Sequence, residues 1–182
     1  MDLVIRPLTP DLWPDFEDLF DTEGAVGRCW CMYWRIGAEY RKRPSVANRD
    51  DFHAIVDQGP PPGLLAFDGD TAVGWCQLTP RGALSRLERS KTLRTVDETP
   101  VWAISCFYIR KGYRRQGVAT ALIEGALDAA REAGVVAVEA YPLDTDFTPS
   151  SSHTGYATAF ERLGFETVAR HTPPRPIMRY VF

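Results

Sequence analysis

Apolar and small side chains recur at positions 118, 121, 122, 125, 126, 129, 130 and 133, the spacing of one helical face, and Gly134 closes the run. Ahead of it, residues 101–109 are largely apolar and rich in β-branched and aromatic types, which predicts a strand. Behind it, residues 135–142 form a second, nearly continuous apolar strand. That pattern fits a buried parallel pair joined by one helix in the right-handed sense. The connection from the first strand into the helix, residues 110–117, is basic and contains two glycines.

The remaining pattern is that of further strands and helices around this unit. Residues 4–8 predict a short first strand. A helix then starts at Thr9-Pro10-Asp11, with Thr9 or Asp11 as cap, and presents Leu12, Trp13, Phe16, Leu19 and Phe20. Residues 45–56 predict a second helix, stopped by Gly59-Pro60-Pro61-Pro62-Gly63. Residues 64–67 and 72–78 form a hairpin turning at Asp68-Gly69-Asp70. Residues 79–100 are irregular or weakly helical. A polar loop over 143–155, a helix over 156–163 and two strands near 165–170 and 177–182 complete one α/β domain over residues 1–182.

Two departures from the pattern carry chemistry. Glu139 interrupts an otherwise apolar strand, where an unpaired carboxylate costs several kcal/mol, so it needs a partner or a task. Residues 29–35 concentrate Trp30, Tyr33, Trp34, two thiols and Met32. That segment is either core or the wall of a substrate pocket. The arginines at 81, 86, 89 and 94, with Lys91, read as a solvated face or as a lid.

Composition narrows the classes. The chain has 182 residues, 45% of them hydrophobic and 25% charged, with a formal net charge of −3, which argues against general attraction to nucleic acid or to an anionic membrane. No apolar run reaches membrane-spanning length and the N-terminus lacks a signal-peptide pattern, so a cytoplasmic protein is expected. Cys29, Cys31, Cys76 and Cys106 predict reduced, non-catalytic thiols, and Cys29-x-Cys31 lacks zinc-site spacing, so no metal is expected.

The basic turn has a physical use. The first N–H groups of a helix lack partners within it and, with the helix dipole, attract an anion. Gly117 and Ala119 leave that end uncovered, and Arg114 and Arg115 add positive charge. Neither a P-loop nor a dinucleotide fingerprint is present.

Arg114-x-x-Gly117-x-Ala119 after an apolar strand resembles the acyl-CoA-binding motif of the GNAT superfamily of N-acetyltransferases. Ile5-Arg6-Pro7-Leu8, the hairpin over 64–78 and Ala159-Phe160-Glu161-Arg162-Leu163-Gly164-Phe165 resemble further parts of that family in the same order. The resemblance implies a mixed, centrally splayed β-sheet flanked by helices. It also implies acetyl-CoA as co-substrate, held by Phe107, Tyr108 and Ile109 along the strand and by Arg114, Arg115, Gln116, Gly117, Val118, Ala119 and Thr120 at the turn. The acceptor implied is a primary amine of a small molecule or peptide, with Trp30, Tyr33, Trp34 and Trp75 lining its site. Glu139 matches the position of a general base in the ribosomal-protein acetyltransferases of this superfamily. Where relatives carry a Tyr acting as acid this chain has Phe160, which leaves Tyr156, or more weakly Tyr141, as substitute. An acyl-CoA-binding or sensing module without turnover is the alternative, transfer to a hydroxyl or of a longer acyl chain is a variant, and a homodimer is left open.

Overall fold

Alternation along the β-hairpin of the second and third strands decides how the layers assemble. In the computed structural model, which describes residues 2–21, 29–144 and 153–182, β2 (Gly63–Asp68) sends Leu64 and Ala66 to one face and Leu65 and Phe67 to the other. Side chains two apart share a face of a strand, so both faces of this sheet must be covered.

The sheet has seven strands in the order β1-β2-β3-β4-β5-β7-β6. β1 (Leu3–Pro7), β2, β3 (Thr71–Pro80) and β4 (Val101–Ile109) are successive antiparallel neighbours. β5 (Ala137–Ala140) is parallel to β4, and the final strand β7 (Arg175–Val181) enters between β5 and β6 (Glu166–Thr172). Gly69, at φ 59°, makes the β2–β3 turn where the sequence placed it.

One face is covered by α1 (Trp13–Asp21) and α3 (Ser45–Gln58), which bury Phe16, Leu19, Phe52 and Val56 against Leu65, Phe67 and Trp75. Farther along that face, α2 (Tyr33–Ile36) and α4 (Ser85–Glu88) enclose Trp34, Leu84 and Leu87 with Ala103, Tyr141 and Ile177. The opposite face carries α5 (Val118–Glu132) and α6 (Ala157–Glu161). α5 lies so close that a Cβ on Gly125 would stand 2.6 Å from Ile5 Cγ2, so a larger residue there would push the helix off β1.

Some boundaries differ from the sequence pattern. The first helix begins as a 3-10 turn over Pro10–Leu12, and neither Thr9 nor Asp11 caps it through a side chain; Pro10, whose ring presets helical φ, starts it instead. β5 is shorter than the apolar run around it, because Val135 and Val136 precede the pairing with β4 and Tyr141 follows it. The polar loop after Leu143 lies largely outside the described residues.

Candidate functional site

The parting of two strands creates the site. β5 pairs with β4 only from Val101↔Ala137 to Ile104↔Ala140, while β4 runs on to Ile109, paired there with β3 alone. Residues 105–109 therefore present one open backbone edge at the C-terminal ends of two parallel strands, where open α/β sheets characteristically bind ligands. The register against β3 jumps from Gln77↔Cys106 to Leu78↔Ile104, leaving Ser105 as the extra residue of a bulge at the fork.

That bulge is clamped from the α2 side. Trp34 Nε1 donates to the Ser105 carbonyl at 2.8 Å, Ser105 Oγ donates to Gln77 Oε1 at 2.8 Å, and Gln77 Nε2 donates to the Cys31 carbonyl at 3.3 Å. Ser105 and Gln77 are fully buried. Across the fork, the chain after β5 is joined by residues 155–157: Leu143 N–H bonds to the Gly155 carbonyl at 3.0 Å and Ala157 N–H to the Leu143 carbonyl at 2.9 Å.

β4 leads directly into the basic turn and α5. Gly117 stands at φ 87° before the first helical residue, a left-handed conformation that glycine adopts without the steric cost other residues bear. A Cβ there would meet nothing within 4 Å, so the space above the turn is open. Among the described residues no side chain caps the helix and no internal bond occupies the N–H groups of Val118, Ala119 or Thr120. Arg114 and Arg115 are exposed beside them, with Arg114 Nε donating to the Ile109 carbonyl at 3.1 Å. Free N–H groups, an uncovered backbone and two cations with no ion pair among the described residues fit the diphosphate of a coenzyme.

On the α2 side of the fork Tyr33, Trp34 and His153 come together. The Tyr33 ring meets Trp34 edge-on at 4.8 Å, and the His153 ring stands 6.3 Å from Tyr33 and 6.5 Å from Trp34. Burial, and then the Arg175 charge, lower the His153 pKa below its ordinary value and favour the neutral imidazole. Arg175 Nη1 donates to Thr154 Oγ1 at 2.9 Å and to the Tyr141 carbonyl at 3.1 Å.

A family model described as acetyltransferase (GNAT) family matches residues 13–165. The chain belongs to that family. It is a GNAT acetyltransferase, and members of the family use acetyl-CoA. Similar solved structures include mosquito arylalkylamine N-acetyltransferase like 5b (TM-score 0.61, 12% identity) and the PaiA N-acetyltransferase of Thermoplasma acidophilum in complex with coenzyme A (TM-score 0.58, 14% identity). The polyamine N-acetyltransferase of Drosophila melanogaster is similar too (TM-score 0.58, 13% identity). Each pairing covers 100% of both chains. No curated protein matches by sequence. At these identities the structural likeness speaks for the GNAT fold alone.

Within this GNAT fold the expected general base meets a different geometry. Glu139 is 1% exposed and its carboxylate is fully engaged. Oε1 accepts from Arg179 Nη2 at 2.7 Å and Nε at 3.1 Å; Oε2 accepts from the Tyr141 hydroxyl at 2.9 Å and Arg81 Nη1 at 3.4 Å. Arg179 also holds Asp97, through Nη1 to Oδ2 at 2.7 Å, which keeps the Asp97 carboxyl well below the usual carboxylate range. Arg81 Nε lies 2.7 Å from Glu88 Oε1, in ion-pair contact but off the line of a hydrogen bond. Burial, and secondarily the Glu139 charge, push the Tyr141 hydroxyl far above its ordinary value, so it stays a donor. Arg81, read from sequence as part of a solvated face or a lid, is 5% exposed. The sequence demanded a partner or a task for Glu139; which arginines partner it depends on contacts 58 and 40 residues away.

The acceptor-wall expectation divides in two. Tyr33, half-buried, and Trp34, 7% exposed, stand at the fork, whereas Trp75 is fully buried away from it with its indole N–H on Cys31 Sγ at 2.9 Å. Trp30 is 7% exposed among Trp13, Phe16 and Phe20, with Nε1 bonded to Ser45 Oγ at 3.0 Å. Both are core packing. Phe160 is fully buried, 6.1 Å ring to ring from Phe107, while Tyr156 is half-buried and its hydroxyl has no hydrogen-bond partner among the described residues. Burial pushes the Cys29 thiol up to about 12 and those of Cys31 and Cys76 well above their ordinary values, which disfavours a thiolate nucleophile. A separate cavity of about 480 Å³ opens at the far end of β4 and β5, against Asp97, Thr99 and Trp102. Its charged walls belong to the network around Arg81 and Arg179, and it is remote from the turn of α5.

Proposed function

We propose that this acetyltransferase transfers the acetyl group of acetyl-CoA directly to a primary amine of a small molecule or peptide. The observation that carries the reading is the open edge of β4 running into the uncapped N-terminus of α5. The N–H groups of Val118, Ala119 and Thr120, with Arg114, Arg115 and Gln116, would hold the diphosphate over Gly117. The free edge at Phe107, Tyr108 and Ile109 would pair with the amide-bearing arm. Acetyl-CoA supplies an activated thioester carbonyl.

An ammonium has no lone pair, so the acceptor must lose a proton before its nitrogen can bond to the acetyl carbon and the carbon–sulfur bond can break. His153, kept neutral and standing against Tyr33 and Trp34, is the side chain best suited to receive that proton directly or through water. Glu139, with its oxygens held by two guanidinium groups and a phenol, acts instead as a positioning group for β5. Tyr156 is the candidate to protonate the departing sulfur, although a thiolate with pKa near about 8.5 leaves tolerably without help.

The test is thiol release from acetyl-CoA against a panel of amines, with calorimetry of acetyl-CoA on Gly117→Glu and Gly117→Asn. Asn tolerates the left-handed conformation, whereas the added carboxylate would repel a diphosphate, so Gly117→Glu should lose affinity by more than about tenfold and Gly117→Asn much less. Equal affinity in a folded Gly117→Glu protein would refute the coenzyme site. Saturable acetyl-CoA binding without thiol release to any amine would favour the acyl-CoA-binding module, which the buried Phe160 in place of a tyrosine otherwise recommends.

A further inference from the structure

β7 presents two arginines to the same face, four residues apart, and treats them differently. Arg179 is shared between two carboxylates, Glu139 and Asp97. Among the described residues Arg175 has no carboxylate partner: Nη1 donates to the Tyr141 carbonyl and to Thr154 Oγ1, both uncharged, and its other two nitrogens make no hydrogen bond there. A half-buried cation left this way lowers its own cost when an anion arrives, because a charge-assisted, two-pronged contact to a carboxylate is among the stronger pairings available to a side chain. Its position gives that anion a setting. Tyr141 is the residue where β5 has parted from β4, Thr154 adjoins His153, and Tyr33 with Trp34 walls the same space.

We propose that Arg175 is the anchor of the acceptor site and that the acceptor is a primary amine bearing a carboxylate on the same small molecule, an amino acid being the smallest case. The inference rests on the amine-acetylation reading above. The carboxylate occupies the free guanidinium nitrogens, the body of the acceptor lies against Tyr33 and Trp34, and the amine faces the fork beside His153. Among the described residues the site thus offers an acceptor the Arg175 cation and no unpaired carboxylate, which disfavours a polyamine, and a peptide N-terminus lacks the α-carboxylate that would be read.

The experiment uses matched acceptors: amino acids, the same amino acids as carboxamides, and the corresponding decarboxylated amines. Thiol release is followed with the parent enzyme, Arg175→Gln and Arg175→Lys, and acceptor binding to the enzyme saturated with coenzyme A is measured by calorimetry. The expected result is a preference for the acids of about tenfold or more in kcat/KM. That preference should lie mainly in KM, vanish in Arg175→Gln, and be partly retained in Arg175→Lys, while acetyl-CoA affinity stays unchanged. Amines lacking a carboxylate reacting as well as the acids, or a preference that survives Arg175→Gln, would overturn it. If no acceptor releases thiol, the transfer reading fails separately, and the calorimetry still decides: acids binding in preference to their carboxamides only while Arg175 is present supports the anchor, and equal or undetectable binding of both refutes it.

Discussion

The two ends of β7 face the same layer of the molecule with the same side-chain chemistry and opposite surroundings. At Arg179 every charge is answered: Glu139, Asp97, Arg81, Tyr141 and Glu88 form a continuous buried-to-surface network that ties the 81–98 connection to β5 and β7. At Arg175 the partners are a carbonyl and a hydroxyl, and the neighbours are two aromatic rings and a neutral imidazole. A buried charge with its full set of partners is structural, because nothing more can approach it. A half-buried charge without a counter-ion is available to something that arrives. Glu139, expected from the sequence as general base, is at the first end, and the groups proposed to meet the acceptor are at the second.

The comparison is broken most decisively at the paired end. Arg179→Met removes a guanidinium from a carboxylate that is 1% exposed, and deleting one partner of a buried pair typically costs about 3–5 kcal/mol. Denaturant unfolding should record a loss of that size for Arg179→Met and a clear loss for Glu139→Gln, while Arg175→Gln should leave stability nearly unchanged. If Glu139→Gln instead kept full stability and lost turnover, with recovery at high pH, the carboxylate would be the base after all.

A smaller effect belongs to the fork itself. Trp34→Phe keeps an aromatic ring but leaves the buried Ser105 carbonyl without the indole donor, an unsatisfied group that costs about 1–3 kcal/mol. Urea titration measures that loss, and an unchanged midpoint would mean that the bulge does not depend on the clamp.

Smaller again is the rim of the network. Asp97 is exposed on one side, so Asp97→Asn should cost only a small part of the Arg179→Met loss, by the same unfolding measurement. Because Arg179 holds the Asp97 pKa down, this contribution is present above the ordinary carboxylate range and disappears as pH falls below it.

The subtlest prediction concerns proton handling at the unpaired end. His153 titrates below its ordinary value in the folded chain, so its contribution to stability is intact above about pH 6.5 and is lost as pH falls through the lowered value. If His153 accepts the acceptor's proton, kcat/KM should decline over that same acidic range. In Arg175→Gln the nearby positive charge is gone, so the acidic limb measured with a decarboxylated amine should move to higher pH. A limb that stays in place would separate His153 from Arg175.

How much of this was legible beforehand follows from the range of each interaction. The strand–turn–helix of residues 101–133 is written in local periodicity, and the hairpin at Gly69 in a local turn, so both were readable. The open N-terminus of α5 was readable for the same reason, since Gly117 and its basic neighbours are contiguous. The pairing of Arg81 and Arg179 with Glu139 joins segments that no periodicity connects, and a charged residue among other charged residues looks solvated until the fold closes over it. Trp30 and Trp75 were indistinguishable by type from Tyr33 and Trp34; only the fold shows which of them stand at the fork. Arg175 and His153 carried no pattern at all. Arg175 opens the last strand and His153 lies at the end of a polar loop, so neither belongs to a local motif.

The place of β7 bears on the order in which the chain becomes itself during synthesis. It is the last of the seven strands to be made, yet it sits inside the sheet, between β5 and β6. Until it emerges, β6 has no neighbour to join, Glu139 has lost its principal counter-ion, and the acceptor anchor does not yet exist. Earlier elements can collapse on their own as the ribosome releases them, since contacts among β1 to β4 and α5 are already in hand. Competence to discriminate an acceptor therefore arrives in a single late event, the insertion of one strand that simultaneously neutralises the interior and arms the site.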